Sequence, residues 1–191
     1  ASSALDYFTK KGTVTSVAER PILSLLSPEA MASLTLGELL TNIMTAKITS
    51  INDIKISTNW MWPLKQKGAK TKLYEAMSSL TSLLTKLNIA ADGGKDSLSM
   101  MTKTKDNTTI YSPPTLVLTA YTTTDNITEK VTPQLHPNHH LFLIDLSGTT
   151  HNNRMAASIY AQLFNTLGKT PPKFSSDFTT QFTKIFNTVQ H

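Results

Sequence analysis

The sequence predicts an α/β or α+β fold, because segments with helical and strand-like spacing of apolar residues alternate along its 191 residues. Apolar residues recur every three to four positions after Ser27 and again after Gly68, which is the spacing of amphipathic helices. β-Branched and apolar residues dominate residues 115–121 and indicate a strand. The sequence contains no internal repeat and no low-complexity tract.

The first helix is predicted to begin at Ser27-Pro28-Glu29. A capping hydroxyl, a proline at the first helical position and an acid facing the helix dipole are typical of a helix start. Helical spacing continues to about Lys47. Residues 22–26 are a short apolar run, and residues 1–20 lack a strong period, so they receive no assignment.

A strand is predicted over residues 54–60, where polar and apolar residues alternate. A second helix follows Lys67-Gly68, with apolar residues on one face: Leu73, Met77, Leu80, Leu84 and Leu87. We expect residues 90–100 to be a loop. Residues 102–112 are polar and predict a hairpin with its tip at Asp106-Asn107.

Residues 132–140 contain two prolines and three histidines and are predicted to be a linker. They divide the chain into a first subdomain, residues 1–131, and an incomplete second one, residues 141–191. The apolar run at residues 141–146 predicts a buried strand. A helix over residues 154–167, closed by Gly168, and a final helix over residues 177–189 follow.

The composition limits the kinds of site and partner. No cysteine is present, which excludes disulfides, thiolate metal sites and a cysteine nucleophile from these residues and fits a cytoplasmic protein. No apolar run approaches the roughly 18–20 residues of a membrane span, so we expect no membrane partner. The net charge is +5, but the lysines are scattered and do not alternate with aromatic residues, so we expect no nucleic-acid partner. The chain lacks an initiator Met and an apolar leader, and we expect its start to be internal or processed.

Glu38 and Asn42 are candidate metal ligands. They are four residues apart on the first predicted helix, so their side chains emerge on one face, one turn apart. A carboxylate and an amide carbonyl offer only oxygen atoms, which suits Mg²⁺ carrying nucleotide phosphates better than zinc. The spacing alone leaves open the alternative that both side chains face water or cap something local.

Residues 90–100 are a second candidate site, because they combine adjacent glycines with a lysine, carboxylates and hydroxyls. Gly93 and Gly94 would present backbone N–H groups to a phosphate, and Lys95 would add a point charge beside Asp96. The alternative is a tight turn into a strand, in which the glycines supply positive φ. The sequence has neither a P-loop nor a dinucleotide-binding fingerprint.

Aromatic residues and histidines offer weaker candidates. Trp60 and Trp62 are expected to pack in the core or an interface, with base stacking as the alternative. We expect exposed histidines in the linker region rather than a metal site, which would need converging geometry. These histidines are His136, His139, His140 and His151.

Several short motifs follow one another over nearly the whole chain, and their order is more specific than any one of them. They are Arg20-Pro21-Ile22, Gly37-Glu38-Leu39-Leu40-Thr41-Asn42, Asn59-Trp60-Met61-Trp62, residues 92–100, Pro114-Thr115-Leu116-Val117, Val131-Thr132-Pro133, Leu146-Ser147-Gly148 and Ala161-Gln162-Leu163-Phe164. Together they resemble the large-form phosphoribosylformylglycinamidine synthases, the C–N ligases of purine biosynthesis that belong to the glutamine amidotransferase family.

The resemblance implies a fold and an activity. The fold is the amino-terminal subdomain of the aminoimidazole ribonucleotide synthetase-like fold, with a mixed sheet packed against helices, plus the start of the partner subdomain. The family uses ATP and glutamine-derived ammonia to convert formylglycinamide ribonucleotide into its amidine. The resemblance places this chain in the second synthase half, with the remainder of the synthase and its glutaminase domain as partners. We expect no catalytic residue here and no turnover by this segment alone.

The resemblance also implies cofactors and their ligands. It points to ATP or ADP with Mg²⁺ in an auxiliary nucleotide site, where Glu38 and Asn42 match the family's magnesium ligands. Gly93, Gly94, Lys95 and Asp96 match a signature segment and are expected to contact the nucleotide, without individual roles.

Departures from the family pattern leave a second function open. A further metal-binding Asp is expected upstream of Ala1, and a His-Asp-x-Ser-Asp-Gly-Gly motif beyond His191. Ala156-Ala157 stands where the family has a Gly-Gly pair, and Lys67-Gly68-Ala69-Lys70-Thr71 replaces Pro-Gly-Glu-Gly-Ala. The alternative is a catalytically inactive family-derived protein, either a viral tegument-type homologue or a structural subunit of a larger complex.

Overall fold

The computed structural model describes residues 1–147 and 154–190 and alternates strands with helices, as the sequence predicts. The strands are β1 (Ser2–Ala4), β2 (Gly12–Glu19), β3 (Lys55–Met61), β4 (Ala90–Ser97), β5 (Met101–Lys103), β6 (Thr109–Tyr111) and β7 (Thr115–Thr124). The α-helices are α1 (Pro28–Ile43), α2 (Ala69–Leu87), α3 (Ile159–Leu163) and α4 (Phe178–Gln190). Short 3-10 helices occur at Pro21–Leu25 and Ile51–Asp53. Among the described residues, no helix has the length and apolar character needed to cross a bilayer.

A mixed five-stranded sheet forms the centre of the fold, in the order β1-β2-β7-β3-β4. Strand β7 pairs antiparallel with both β2 and β3, whereas β4 runs parallel to β3. A parallel pair needs a crossover connection, and α2 provides it because it lies between β3 and β4 in the chain. Strand β4 is last in this order and is therefore an edge strand. The predicted hairpin is confirmed as β5 and β6, with Asn107 in the left-handed conformation at its tip.

Helices α1 and α2 cover one face of the sheet. In β7, Leu116, Leu118 and Ala120 are buried against them, while Val117 and Thr119 lie on the opposite, more open face. This alternation follows from the two-residue period of a strand. Both tryptophans pack in the core as predicted, and the indole N–H of Trp62 donates to the Ala69 carbonyl at 2.9 Å.

The start of α1 confirms the predicted cap. Ser27 Oγ accepts a hydrogen bond from the Ala30 amide at 3.1 Å, and Pro28 occupies the first turn. The helix ends at Ile43, earlier than the predicted Lys47. Helix α2 buries Leu80, Leu84 and Leu87 as predicted, but Met77 on the same stripe is 46% exposed.

Residues 90–97 form strand β4, so the prediction of a loop there was wrong. Gly93 and Gly94 pair with Ser57 and Thr58 of β3, and neither glycine has a positive φ. The strand is polar because it lies at the sheet edge, and apolar alternation marks only strands with a buried face. Strand β2 was also not predicted, because the sequence pattern gave residues 1–20 no assignment. Its inward residues Val14, Ser16 and Ala18 are too small to give a strong apolar signal.

The structure corrects two predictions near the carboxyl end. Residues 141–146 are not a strand, and Leu141, Phe142 and Leu143 are 77%, 87% and 95% exposed. In the described part of the chain no strand lies beside them, and an unpaired segment cannot form a sheet ladder. The helix predicted over residues 154–167 is reduced to α3, because Ala157 and Asn165 both have positive φ. Part of the predicted Ser147-Gly148 turn, and His151, lie outside the described residues.

Helix α4 confirms the last predicted helix and joins the main core. Phe178, Phe182 and Phe186 are spaced one turn apart and are buried in the same cluster as the sheet and α1. The proposed division at residues 132–140 stays a prediction, although this helix packs on the first subdomain.

The buried side chain of Gln190 attaches the end of α4 to the residues that follow α1. Gln190 Nε2 donates to the carbonyls of Met44 and Ala46, both at 3.0 Å, and Gln190 Oε1 accepts from the Ile48 amide at 2.8 Å. Lys47 Nζ donates to the Gln190 carbonyl. These bonds satisfy backbone groups that follow α1 and are shielded from water.

We predict that Gln190→Ala lowers the free energy of unfolding by about 2–4 kcal/mol, because buried backbone groups lose their partners. Urea titration followed by circular dichroism measures this change. Asn187→Ala, which removes an exposed amide from the same helix, is the control and is expected to cost less than about 0.5 kcal/mol. Equal losses in the two variants would contradict the role assigned to Gln190.

Candidate functional site

Glu38 and Asn42 line one cleft of about 690 Å³. One wall is the side of α1 that carries Gly37, Glu38 and Asn42. A second wall is the turn from Glu19 to Leu23, between β2 and α1. The remaining wall comes from the carboxyl-terminal part of the chain and comprises Leu146, Arg154, Ala156, Ala157, Ser158, Ile159, Gln162, Pro172 and Phe174.

The Glu38 carboxylate has a solvent-shielded oxygen that Arg20 holds in an ion pair. Arg20 Nε lies 3.0 Å from Glu38 Oε2, which makes an ion pair between side chains that are 52% and 31% exposed. The two groups are not aligned as a hydrogen bond, so the shielded Oε2 is held by the ion pair without one. A shielded carboxylate oxygen that lacks a hydrogen bond is uncommon in proteins, and it is suited to a metal cation that displaces the guanidinium.

Asn42 offers a carbonyl oxygen to the same cleft. Its Nδ2 donates to the Val17 carbonyl of β2 at 3.4 Å, a long contact that nonetheless orients the amide. Oδ1 accepts no hydrogen bond from the described residues. The side chain is exposed, so a ligand in the cleft can reach this oxygen.

These two oxygen donors fit a magnesium ion that also binds phosphate and water. The two residues are about one helical turn apart, about 6 Å along the axis, on a helix whose position is fixed by burial. Mg²⁺ is usually held by one or two protein carboxylates, with phosphate oxygens and waters completing six ligands. Within residues 1–147 and 154–190, no group of three or more His, Cys, Asp or Glu side chains converges as a metal site. His136, His139 and His140 are exposed, as expected.

Gly37 allows the far wall of the cleft to close on α1. A Cβ atom at this position would lie 2.1 Å from the Phe174 ring, so only glycine permits this contact. Phe174 stacks on Phe178 at a centroid distance of 3.9 Å, which connects the wall to α4. Sequence reasoning missed Arg154 and Phe174, because both lie more than a hundred residues from α1. The sequence feature that pointed to a close contact on α1 was Gly37, a glycine inside a predicted helix.

The second candidate group, Gly93 to Asp96, lies elsewhere. Helix α1 packs on β2 and β7, whereas β4 is three strands from β2, about 14 Å at roughly 4.8 Å per strand. The structure therefore does not bring the two groups of candidate residues together. Lys95 Nζ donates to Ser97 Oγ at 2.7 Å within its own strand.

Asp92 stands beside this group and contacts β7, the strand on the far side of β3. A shift of register in the β3–β4 pairing falls between Ile56 and Ser57, opposite Ala91 and Gly93, so Asp92 is the extra residue. The Tyr121 hydroxyl of β7 donates to Asp92 Oδ1, and this bond raises the pKa of the tyrosine. The contact ties the edge strand to the sheet.

A family model described as the FGAR-AT PurM_N-like domain matches residues 1–123. The chain belongs to this family. The resemblance found in the sequence motifs is thereby confirmed.

Curated relatives carry the name phosphoribosylformylglycinamidine synthase. The chain is 40% identical over 174 residues to the protein of Dictyostelium discoideum, covering 87% of this chain and 13% of that protein. It is 39% identical over 172 residues to the protein of Homo sapiens, covering 88% and 13%. The chain thus spans about 13% of the length of these relatives.

Solved structures confirm the fold expected for an FGAR-AT PurM_N-like domain. T. maritima PurL complexed with ADP matches with a TM-score of 0.52 and 16% identity, covering 70% of this chain and 21% of that chain. T. maritima PurL complexed with ATP matches with a TM-score of 0.51 and 17% identity over the same shares. The mixed sheet packed against helices is therefore that of the aminoimidazole ribonucleotide synthetase-like fold.

We predict that Gly94→Ala destabilises the fold by about 1–3 kcal/mol, because the new Cβ would lie 2.8 Å from Thr58 O and Oγ1. Gly93→Ala is the matched control, since its Cβ would meet Ser57 Oγ at an ordinary 3.5 Å. Urea unfolding of both variants distinguishes them. A Gly93→Ala variant that is as unstable as Gly94→Ala would show that strand composition, not contact with Thr58, requires the glycines.

We predict that Arg20→Met strengthens binding of Mg²⁺ alone about two- to fivefold, because the guanidinium competes with the cation for the Glu38 carboxylate. The factor corresponds to the roughly 0.5–1 kcal/mol of a partly exposed ion pair. Isothermal titration with MgCl₂ measures it, with Lys10→Met, an exposed lysine outside the cleft, as the charge control. Weaker Mg²⁺ binding in Arg20→Met than in the control would refute the competition.

Proposed function

We propose that this chain is part of a phosphoribosylformylglycinamidine synthase and that its cleft holds part of an auxiliary magnesium–nucleotide site. The single observation that carries the site is Glu38 Oε2, which is shielded from solvent and paired with Arg20 without a hydrogen bond, on a residue that lines the same cleft as Asn42. The names of the curated relatives support the synthase assignment. The T. maritima complexes with ADP and ATP support nucleotide as the ligand class.

In this proposal Glu38 and Asn42 hold Mg²⁺ through oxygen atoms, and Arg20 occupies the carboxylate when no cation is bound. The bound ion would neutralise the polyphosphate of ADP or ATP. The helix supplies a rigid pair of ligands, since its apolar side is buried and cannot rotate. Because the proposed nucleotide is auxiliary, the chain contributes binding and scaffold, and no catalytic residue is assigned to it.

Gly93, Gly94, Lys95 and Asp96 remain proposed nucleotide contacts, at a position separate from the metal ligands. Support comes from the exposure of β4 and from its place at the sheet edge, which leaves a row of backbone N–H and C=O groups unpaired. Lys95 is exposed and adds positive charge there.

The full activity would belong to the complete synthase in the cytoplasm, with its remaining domains and a glutaminase domain as partners. The chain spans only about 13% of its relatives, so we expect the purified 191-residue chain to form no amidine. Measured turnover by this chain alone would overturn that part of the proposal.

Ala157 favours an alternative, a catalytically inactive relative of the tegument or structural-subunit type. This residue lines the cleft with a φ of 59°, a left-handed conformation that is strained for alanine by roughly 1–2 kcal/mol. Glycine, expected there from the family pattern, would carry no such strain. A synthase assay on the full-length protein decides between the two: amidine formation supports the enzyme, and its absence supports the alternative.

We predict that Glu38→Ala in the full-length protein weakens Mg–ADP binding at least tenfold, because the phosphates lose a metal bridge. A tenfold loss corresponds to about 1.4 kcal/mol. Isothermal titration measures the affinity, and the melting temperature with bound nucleotide should fall as well.

Glu29→Ala is the matched control for this experiment. Glu29 is an exposed acid on the same helix and lies outside the cleft, so its loss should leave nucleotide affinity unchanged. Full nucleotide retention in Glu38→Ala would refute the proposed site.

A further inference from the structure

Arg154 lines the cleft opposite α1 and has no role in the site described so far. Its Nη1 reaches the Lys173 carbonyl at 3.5 Å, the limit of a hydrogen bond. Its Nε is shielded from solvent and has no hydrogen-bond partner. A guanidinium has five N–H donors, and among the described residues this one makes a single long hydrogen bond, to Lys173.

A shielded charged donor without an acceptor is costly. Leaving a buried donor unsatisfied is unfavourable, and more so for a charged group. The described residues offer Arg154 no carboxylate partner, because the ion pair recorded among them joins Arg20 to Glu38. An acceptor for Nε can enter through the cleft that Arg154 lines.

The backbone around Arg154 is held in place. The Ala157 amide donates to the Leu167 carbonyl at 2.7 Å. Gly168 packs so closely on Ala156 that a Cβ at Gly168 would lie 2.9 Å from the alanine Cα and Cβ. These contacts fix the turn that follows Arg154 and so restrict where its side chain can reach.

The cleft therefore contains two complementary atoms that make no hydrogen bond, Arg154 Nε and Glu38 Oε2, of which the second is held by Arg20 in an ion pair. A ligand that satisfies both must present an oxyanion to the arginine and a cation or donor to the carboxylate. A phosphoryl group carrying a divalent ion has both features. Nε and a neighbouring Nη of arginine form a planar pair of donors that matches two oxygens of a phosphate.

We propose that Arg154 binds a phosphoryl group of the ligand in this cleft, opposite the metal ligands Glu38 and Asn42. The inference rests on the proposed function and adds a phosphate-binding residue to it. It also makes the carboxyl-terminal wall of the cleft part of the binding site.

The test uses Arg154→Met, Arg154→Lys and the control Lys173→Met in the full-length protein. Lys173 is an exposed neighbour whose side chain lies outside the cleft, so its substitution removes one positive charge nearby without touching the site. Isothermal titration with Mg–ADP, and separately with inorganic pyrophosphate, measures binding. Thermal unfolding without ligand reports on stability.

We expect Arg154→Met to weaken Mg–ADP binding at least tenfold and Arg154→Lys to recover only part of the loss, because an ammonium lacks the paired donors. The ligand-free melting temperature should stay unchanged or rise, since an unsatisfied charge is removed. Lys173→Met should bind as the wild type does. A drop in ligand-free melting temperature with unchanged Mg–ADP affinity would instead assign Arg154 a structural role and overturn the inference.

The outcomes separate this inference from the proposed function. Loss of Mg–ADP binding in Glu38→Ala but not in Arg154→Met would leave the proposed function standing and overturn the role of Arg154. Wild-type binding of pyrophosphate but not Mg–ADP, abolished by Arg154→Met, would support Arg154 as a phosphate ligand and overturn the nucleotide assignment. Binding of neither probe by the wild type would overturn both.

Discussion

Burial of α1 is the constraint on which the rest of the structure depends. Met31, Leu36, Leu39 and Leu40 are fully buried between the sheet and α2, and each such side chain contributes roughly 1.5–3 kcal/mol relative to exposure. Ser16 Oγ of β2 donates to the Leu39 carbonyl at 3.0 Å and fixes the helix against the sheet. Because the helix cannot rotate without exposing this apolar surface, the direction of its polar side is set. That side carries the candidate metal ligands.

The same helix organises the carboxyl-terminal part of the chain. Gly37 leaves room for the Phe174 ring. The backbone of the residues after α1 both accepts hydrogen bonds from the Gln190 side chain and donates one to it. Between these two points, the phenylalanines of α4 join the common core. The cleft wall and the final helix are thus positioned by one element, so a change in the position of α1 would alter both the core and the candidate site.

The charged side chains that line the cleft cancel, and a bound divalent cation would make its net charge positive. Glu19 and Glu38 oppose Arg20 and Arg154 along the lining. A divalent cation on Glu38 would add two positive charges and release Arg20 from its ion pair. The cleft would then attract polyphosphate through the metal and the arginines together, whereas the metal-free cleft has little net charge to attract an anion.

The sequence by itself determined the features that depend on near neighbours in the chain. The cap at Ser27, the apolar stripe of α2, the turn at Asn107 and the placement of Glu38 and Asn42 one turn apart all follow from local spacing. Tertiary structure alone decided that residues 90–97 pair with β3 as a strand, that residues 141–146 have no strand beside them in the described part of the chain, and that Arg154 lines the same cleft as α1. The physical reason is that a strand needs a partner's backbone and a charged group needs a counterpart, and both partners lie far away in sequence. The hydrophobic periodicity of a sequence reflects contacts within one helical turn or one strand. It does not identify the distant residue that a side chain contacts in the fold.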